Sequence, residues 1–120
     1  MRYLCLVYHE EAALDGLSAE DKASLDRNAL AYNRKLDRSG HLIATEALQS
    51  VRTSKSVRRR KRKILVMDGP FAETKEQLCG FVLIEAANED EAIDIAAALP
   101  MAATGTIEIR PIYDIVDPDA

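Results

Sequence analysis

Two stretches of helical periodicity, each flanked by short apolar runs, constrain the fold of this chain more than any other feature. Residues 18–39 place apolar side chains on one helix face, at Leu25, Ala29, Tyr32 and Leu36. Residues 88–99 do the same at Ala92, Ile95, Ala96 and Leu99. Ser18 and Asn88 are suited to cap the starts, and Gly40 and Pro100 to mark the ends. The sequence therefore predicts two amphipathic helices.

Short apolar runs rich in β-branched and aromatic residues surround the helices and predict strands. These runs are residues 2–9, 41–48, 51–58, 62–67, 80–87 and 106–112. Residues 10–17 and 68–79 predict loops, the second opened by the turn sequence Asp68-Gly69-Pro70. We therefore expect an α+β sandwich in which a mostly antiparallel sheet carries two helices on one face. The other face keeps alternating apolar residues, which favours a homodimer that covers it.

The length of 120 residues fits one domain over residues 1–115, followed by a short acidic tail over 116–120. No apolar run approaches the ~20 residues of a membrane span, and the short apolar start suits a strand better than a signal peptide. We therefore expect a cytoplasmic protein with no membrane partner. The two cysteines, Cys5 and Cys79, lack CxxC spacing and give little support for a disulfide or a zinc site. We expect no metal and no cofactor.

Positive charge is concentrated in residues 55–63, which hold seven basic side chains and no acidic one. Because the whole chain has a net charge of −4, the remainder carries −11. Three interpretations are open: a solvated hairpin that blunts an edge strand, docking onto an acidic protein surface, and nucleic-acid binding. The segment has no aromatic residue for base stacking, which argues against nucleic acid. The connection at 59–61 lacks the residues that tight hairpins prefer, so we expect a wider loop or backbone strain.

The segment from Val66 to Leu78, which reads VMDGPFAETKEQL, resembles the signature of the YCII-related proteins, in particular the branch with a DGPF motif. The resemblance continues through GFVLIEA at 80–86, the helix at 89–100 and IEIRPI at 107–112, and it covers residues 2–115. It implies a ferredoxin-like α+β fold that pairs into a dimeric α/β barrel. It also implies a poorly defined function. Some members were suspected of catalysis because of a His and an Asp, and others are fused to or encoded near sigma factors.

The chain departs from this family at three places. Residues 19–39 contain no histidine, whereas the YciI branch places one in its first helix. The basic run 58–63 stands where DGPF relatives have a short turn with Gly or Asp, and Cys79 stands where many have Gly. An inherited His–Asp pair would therefore need another histidine.

His9 and Asp68 are the candidate catalytic residues. Asp68 either accepts backbone N–H bonds of its own turn or acts as a strand-end carboxylate that serves as a base or orients a histidine. His9 ends the first strand, where it is either merely hydrogen-bonded or a general base at the same rim as Asp68. The candidate ligand-binding residues, which would line a cleft for a small anionic ligand, are His41, Glu73, Lys75 and Arg110.

Three functional hypotheses follow. The first is a small-molecule enzyme or ligand-binding protein with a polar cleft near His9 and Asp68. The alternative is a non-catalytic regulatory module that binds transcription machinery with a sigma factor, as the family associations imply. The third is nucleic-acid binding through residues 55–63, which the acidity of the remaining chain disfavours.

Overall fold

The computed structural model describes residues 1–120 and contains six strands, three α-helices and two short 3₁₀ helices. The strands are β1 (Arg2–His9), β2 (Leu42–Ala47), β3 (Lys55–Arg60), β4 (Lys63–Asp68), β5 (Gln77–Glu85) and β6 (Thr106–Pro111). The α-helices are α1 (Glu11–Asp15), α2 (Ala19–Arg38) and α3 (Glu89–Ala97), and the 3₁₀ helices are Val51–Thr53 and Pro100–Ala103. None of the helices combines the length and the apolarity that crossing a membrane requires.

The main sheet is antiparallel and has the strand order β2-β5-β1-β6. It is an open sheet with β2 and β6 as its edges, while β3 and β4 form a separate two-stranded sheet. The predicted α+β class is confirmed. The chain alone shows neither a closed barrel nor a pairing of two copies.

The core lies between the main sheet and the helices α2 and α3. Alternate residues of β1 and β5 face the helices, and Cys5 and Ile84 are fully buried there. They pack in one cluster with Leu36 of α2 and Ile95 of α3. Burying an aliphatic side chain of this size contributes about 1.5–3 kcal/mol, so each member of this layer stabilises the fold.

The predicted residues form both helix starts and the end of α2, whereas α3 ends at Ala97 and Pro100 begins the second 3₁₀ helix. The Ser18 hydroxyl accepts a hydrogen bond from the Asp21 amide at 3.0 Å, and the Asn88 side chain accepts one from the Glu91 amide at 2.9 Å. Gly40 follows α2 with φ at +81°, a conformation that glycine adopts without steric cost. The Tyr32 hydroxyl then ties α2 to α3 by donating to the Ile95 carbonyl at 2.9 Å.

The loop predicted over residues 10–17 contains the helix α1, so the chain has three helices rather than two. Its sequence EAALD consists mainly of good helix formers. The Glu11 carboxylate accepts hydrogen bonds from the Val51 amide and the Ser50 hydroxyl, both at 2.8 Å. This contact joins α1 to a segment some forty residues later, and the short-range pattern could not reveal it.

The basic segment forms the β3–β4 hairpin, closed by a two-residue turn rather than a wider loop. Both turn residues have positive φ, 48° at Lys61 and 65° at Arg62. Such turns favour Asn and Gly because a side chain in this region costs on the order of 1–2 kcal/mol per residue. The expected backbone strain is therefore present. Strand β3 also begins at Lys55, four residues later than predicted, because Ser50 caps the 3₁₀ helix Val51–Thr53.

Candidate functional site

His9 lies at the end of β1 with only 5% of its surface exposed. Its Nδ1 is 3.0 Å from the Glu10 carbonyl oxygen, and its Nε2 is 2.7 Å from the Thr104 hydroxyl. A carbonyl oxygen only accepts, so Nδ1 carries a proton. In the neutral ring Nε2 is then the acceptor and the Thr104 hydroxyl donates to it. These contacts therefore fit the tautomer with the proton on Nδ1, in which the Nε2 lone pair accepts from Thr104.

Gly105 brings His9 and Thr104 together. A Cβ atom at position 105 would lie 2.2 Å from the Tyr8 carbonyl oxygen and 3.0 Å from the His9 ring. No other residue therefore fits at the point where the chain enters β6 beside β1. The Gly105 amide also donates to the Met101 carbonyl at 2.7 Å, which fixes the preceding 3₁₀ helix.

A cavity of about 350 Å³ opens beside the His9 ring. One wall is α2, from which Asp21, Ser24 and Asn28 project at helical spacing. The rest of the lining comes from α1 and the residue Leu17 that follows it, and from Pro100 and Thr104 at the two ends of the second 3₁₀ helix. The cavity therefore combines one imidazole, one carboxylate and several neutral polar groups, and it contains no Lys or Arg.

A second cavity of about 580 Å³ adjoins the first and shares Leu25 and Pro100 with it. It lies between α2 and the strands β2 and β5, and most of its lining is apolar. Val7, Val82 and Met101 contribute to that lining. We call the two cavities together the His9 cleft. It has a polar end and an apolar end, which suits a ligand with both characters.

Cys79 also lines the apolar end. It is the extra residue where the register between β1 and β5 shifts, and its thiol donates to the Val7 carbonyl at 3.3 Å. Burial raises the pKa of the Cys79 thiol. The thiol therefore stays protonated near neutral pH and acts as a packing group against the Met101 sulfur, 3.5 Å away.

Asp68 lies at the end of β4 with its side chain 86% exposed, and it forms an ion pair with Lys55 across the base of the hairpin. The turn that follows is held by backbone contacts, including the Gly69 amide to the Ser54 carbonyl at 2.8 Å. Asp68 accepts no hydrogen bond from the amides of its own turn. His9 and Asp68 do not contact each other, because the hydrogen bonds of each are made elsewhere.

The other sequence candidates lie away from the His9 cleft. His41 is at the opposite end of the main sheet, where its Nδ1 donates to the Glu85 carbonyl at 2.8 Å and lies 3.6 Å from the Glu91 carboxylate. Arg110 is on β6 opposite Leu4, on the face without helices. Glu73 and Lys75 are exposed in the loop after the hairpin. The structure does not bring these four residues together.

Sequence reasoning identified His9 but missed its partners. Thr104-Gly105 directly before the last strand was one signal, because a glycine beside a polar residue often marks a close backbone approach. The spacing of Asp21, Ser24 and Asn28 along α2 was another. No group of three or more His, Cys, Asp or Glu side chains is placed to hold a metal ion.

Comparison with known proteins gives two matches. Residues 1–116 match the YCII-related domain. The chain is also 40% identical over 114 residues to an uncharacterised protein of Rhizobium meliloti (strain 1021), and the match covers 93% of this chain and 92% of the relative. Both matches span the elements that form the His9 cleft.

Proposed function

This chain belongs to the YCII-related domain family, and from that premise we propose that it binds a small neutral molecule in the His9 cleft. The observation that carries the proposal is the His9 ring itself. It is buried, both ring nitrogens are hydrogen-bonded, and it nevertheless forms part of a cavity wall. A buried histidine held in one tautomer beside an open cavity is the arrangement of a general base.

The chemistry of the lining supports a ligand with a hydroxyl-bearing head and an apolar body. A ligand hydroxyl that replaces the Thr104 hydroxyl would donate a hydrogen bond to Nε2, while the Glu10 carbonyl continues to accept from the Nδ1–H. Asp21 disfavours an anionic head at this end of the cleft, since no Lys or Arg lines it. The expected anionic ligand would instead need Lys75 or Arg110, which lie elsewhere.

The test is a titration with benzyl alcohol followed by amide chemical shifts, because its ring suits the apolar end and its hydroxyl the polar end. We expect shifts confined to residues 21–28, 79–82 and 99–105. The His9→Gln variant should weaken binding by about tenfold, the effect of one lost buried hydrogen bond. The matched control is His41→Gln, which removes the other histidine of the chain and should leave binding unchanged. Equal losses in both variants, or shifts outside the cleft, would refute the proposal.

We further propose that two copies pair through the face of the main sheet that carries no helices, as the ferredoxin-like dimeric barrel of the family implies. The support is a central apolar patch on that face, formed by Leu4 and Leu6 of β1 and by Phe81 and Leu83 of β5. The patch lies on the two inner strands, where a partner can cover it fully. Replacing Leu6 by Lys should convert a dimer to a monomer in sedimentation experiments, because a charge would then be buried unpaired.

A further inference from the structure

The β3–β4 hairpin carries six positive charges that have no acidic partner in the chain. The five ion pairs of the protein involve other groups, and at the hairpin only Lys55 takes part, with Asp68. The six unpaired residues are consecutive: Arg58, Arg59, Arg60, Lys61, Arg62 and Lys63. Like charges this close repel one another and oppose the strained turn that holds them together.

The same hairpin exposes apolar side chains on both strands. Cross-strand pairing puts Val57 opposite Val66 and Arg59 opposite Ile64, and these four side chains share one face. Val57, Ile64 and Val66 are 60–70% exposed. We call this side the valine face. A two-stranded hairpin with no covering layer is marginally stable in water. A second surface that buries the valine face would therefore stabilise the hairpin.

The hairpin projects from the rest of the molecule. Neither of its strands packs extensively against another helix or strand. The radius of gyration is 16.8 Å, whereas a compact domain of this length has about 14 Å. The partner of the valine face must therefore come from another molecule.

The main sheet offers a complementary surface. Strand pairing aligns Glu46, Phe81, Leu6 and Glu108 in one row across the face without helices. The centre of this row is apolar, and each end is an exposed carboxylate. Because the row crosses three strand spacings, the two carboxylates lie about 14 Å apart. Neither carboxylate forms an ion pair in the chain, and Glu108 is bonded only by the Tyr8 hydroxyl, at 3.3 Å. We call Glu46 and Glu108 the rim acids.

We propose that the hairpin is an arm that packs on a second copy of this chain, with the valine face over the edge of the partner's main sheet and the arginines against its rim acids. The charge balance favours a second copy, because the chain outside residues 55–63 carries −11 and repels phosphate backbones. Two copies related by a two-fold axis would exchange arms, so each arm neutralises the other subunit. The contact does not involve the polar end of the His9 cleft, where the ligand head is proposed to bind, so the two proposals can fail separately.

A charge exchange between two chains tests this contact. The first variant has an acidic arm, Arg58→Glu with Arg59→Glu, Arg60→Glu and Arg62→Glu, which changes the charge of residues 58–63 from +6 to −2. The second has a basic rim, Glu46→Lys with Glu108→Lys. In either variant alone, arm and rim repel, and we expect the dimer dissociation constant to rise at least tenfold, or about 1.4 kcal/mol. In their mixture both arm–rim contacts attract, so a heterodimer should form with nearly the wild-type constant. Circular dichroism checks that each variant is folded, and sedimentation velocity measures the species.

The valine face has a matched control on the same two strands. Val57→Ser with Val66→Ser should weaken the dimer about tenfold, whereas Leu65→Ser with Met67→Ser on the opposite face should change it less than about threefold. These substitutions leave every charge in place and so separate packing from electrostatics.

Three outcomes would overturn the proposal. One is a mixture of the charge variants that stays as weakly associated as its components. Another is a dimer whose dissociation constant is unchanged in the acidic-arm and Val57/Val66 variants, which would leave the pairing to the sheets alone. The third is a wild-type monomer that binds duplex DNA through the arm at ~0.15 M salt, which would assign the hairpin to nucleic acid.

Discussion

The two sheets of this protein place the same kind of residue in opposite environments. Ile84 in β5 is fully buried between the sheet and the helices, whereas Ile64 in β4 is 70% exposed. Both belong to apolar strands of ordinary length. The difference lies in the covering layer, since α2 and α3 bury one face of the main sheet and nothing in the chain covers the hairpin. Strand sequence alone therefore says little about burial, and the position of the amphipathic helices decides it.

The largest expected effect is a direct contrast of those two isoleucines. Ile84→Ala should lower the free energy of unfolding by about 2–5 kcal/mol, because it leaves a cavity in a closely packed core. Ile64→Ala should change it by less than about 0.5 kcal/mol in dilute monomer, as at other exposed positions. Urea unfolding at low protein concentration measures both. Similar losses for the two variants would show that the hairpin packs within its own chain.

The next contrast compares the stability effects of adding a side chain at two glycines. Gly105 lies close to a neighbouring backbone, and Gly16 has room for a Cβ atom. Gly105→Ala should destabilise the protein by about 1–3 kcal/mol, because its Cβ would overlap the Tyr8 carbonyl and press on the His9 ring. Gly16→Ala adds a Cβ with no neighbour closer than 3.4 Å and should be neutral or slightly stabilising. Thermal unfolding compares the two variants. If Gly105→Ala is tolerated, the backbone at β6 can shift away from His9.

The helices and the main sheet were largely predictable, because the sequence patterns that indicate them involve neighbouring residues. The caps at Ser18 and Asn88 and the left-handed Gly40 are set by neighbours a few residues away, and each is confirmed. The alternation of β1 likewise predicts which side chains are buried once helices cover one face.

The remaining features depend on contacts between distant residues. Helix α1 is held by Glu11 contacts to Ser50 and Val51, and the Nε2 partner of His9 lies 95 residues along the chain. Asp68 pairs with Lys55 only because the hairpin register places them opposite each other. A sequence pattern does not determine such pairings, so the sequence predicted neither the neighbours of His9 nor its separation from Asp68.

A substitution in the hairpin turn should have a smaller effect on stability than the core and glycine substitutions, and the effect should be confined to the hairpin. Replacing Lys61-Arg62 by Asn-Gly should stabilise the hairpin by about 1–2 kcal/mol, because both positions have positive φ. Amide hydrogen exchange should slow within β3 and β4, while the midpoint of global unfolding stays nearly constant. A large rise in that midpoint would mean that the hairpin unfolds together with the main sheet.

The smallest effect concerns the buried thiol of Cys5, for which burial raises the pKa to about 11 from the ordinary value of 9.0. An unfolded thiol ionises first, so the stabilisation due to Cys5 is complete below pH 9 and is lost as the pH rises through 11. The stability difference between the wild type and Cys5→Ala should therefore shrink by on the order of 1 kcal/mol over that interval. Urea unfolding from pH 8 to pH 11 measures it in a Tyr32→Phe background, because burial and the neighbouring Cys5 both raise the pKa of Tyr32. A cysteine placed in the hairpin by Val57→Cys should show no such loss, because position 57 is exposed and its basic neighbours favour the thiolate. A pH dependence of equal size at both positions would mean that the hairpin is as buried as the core.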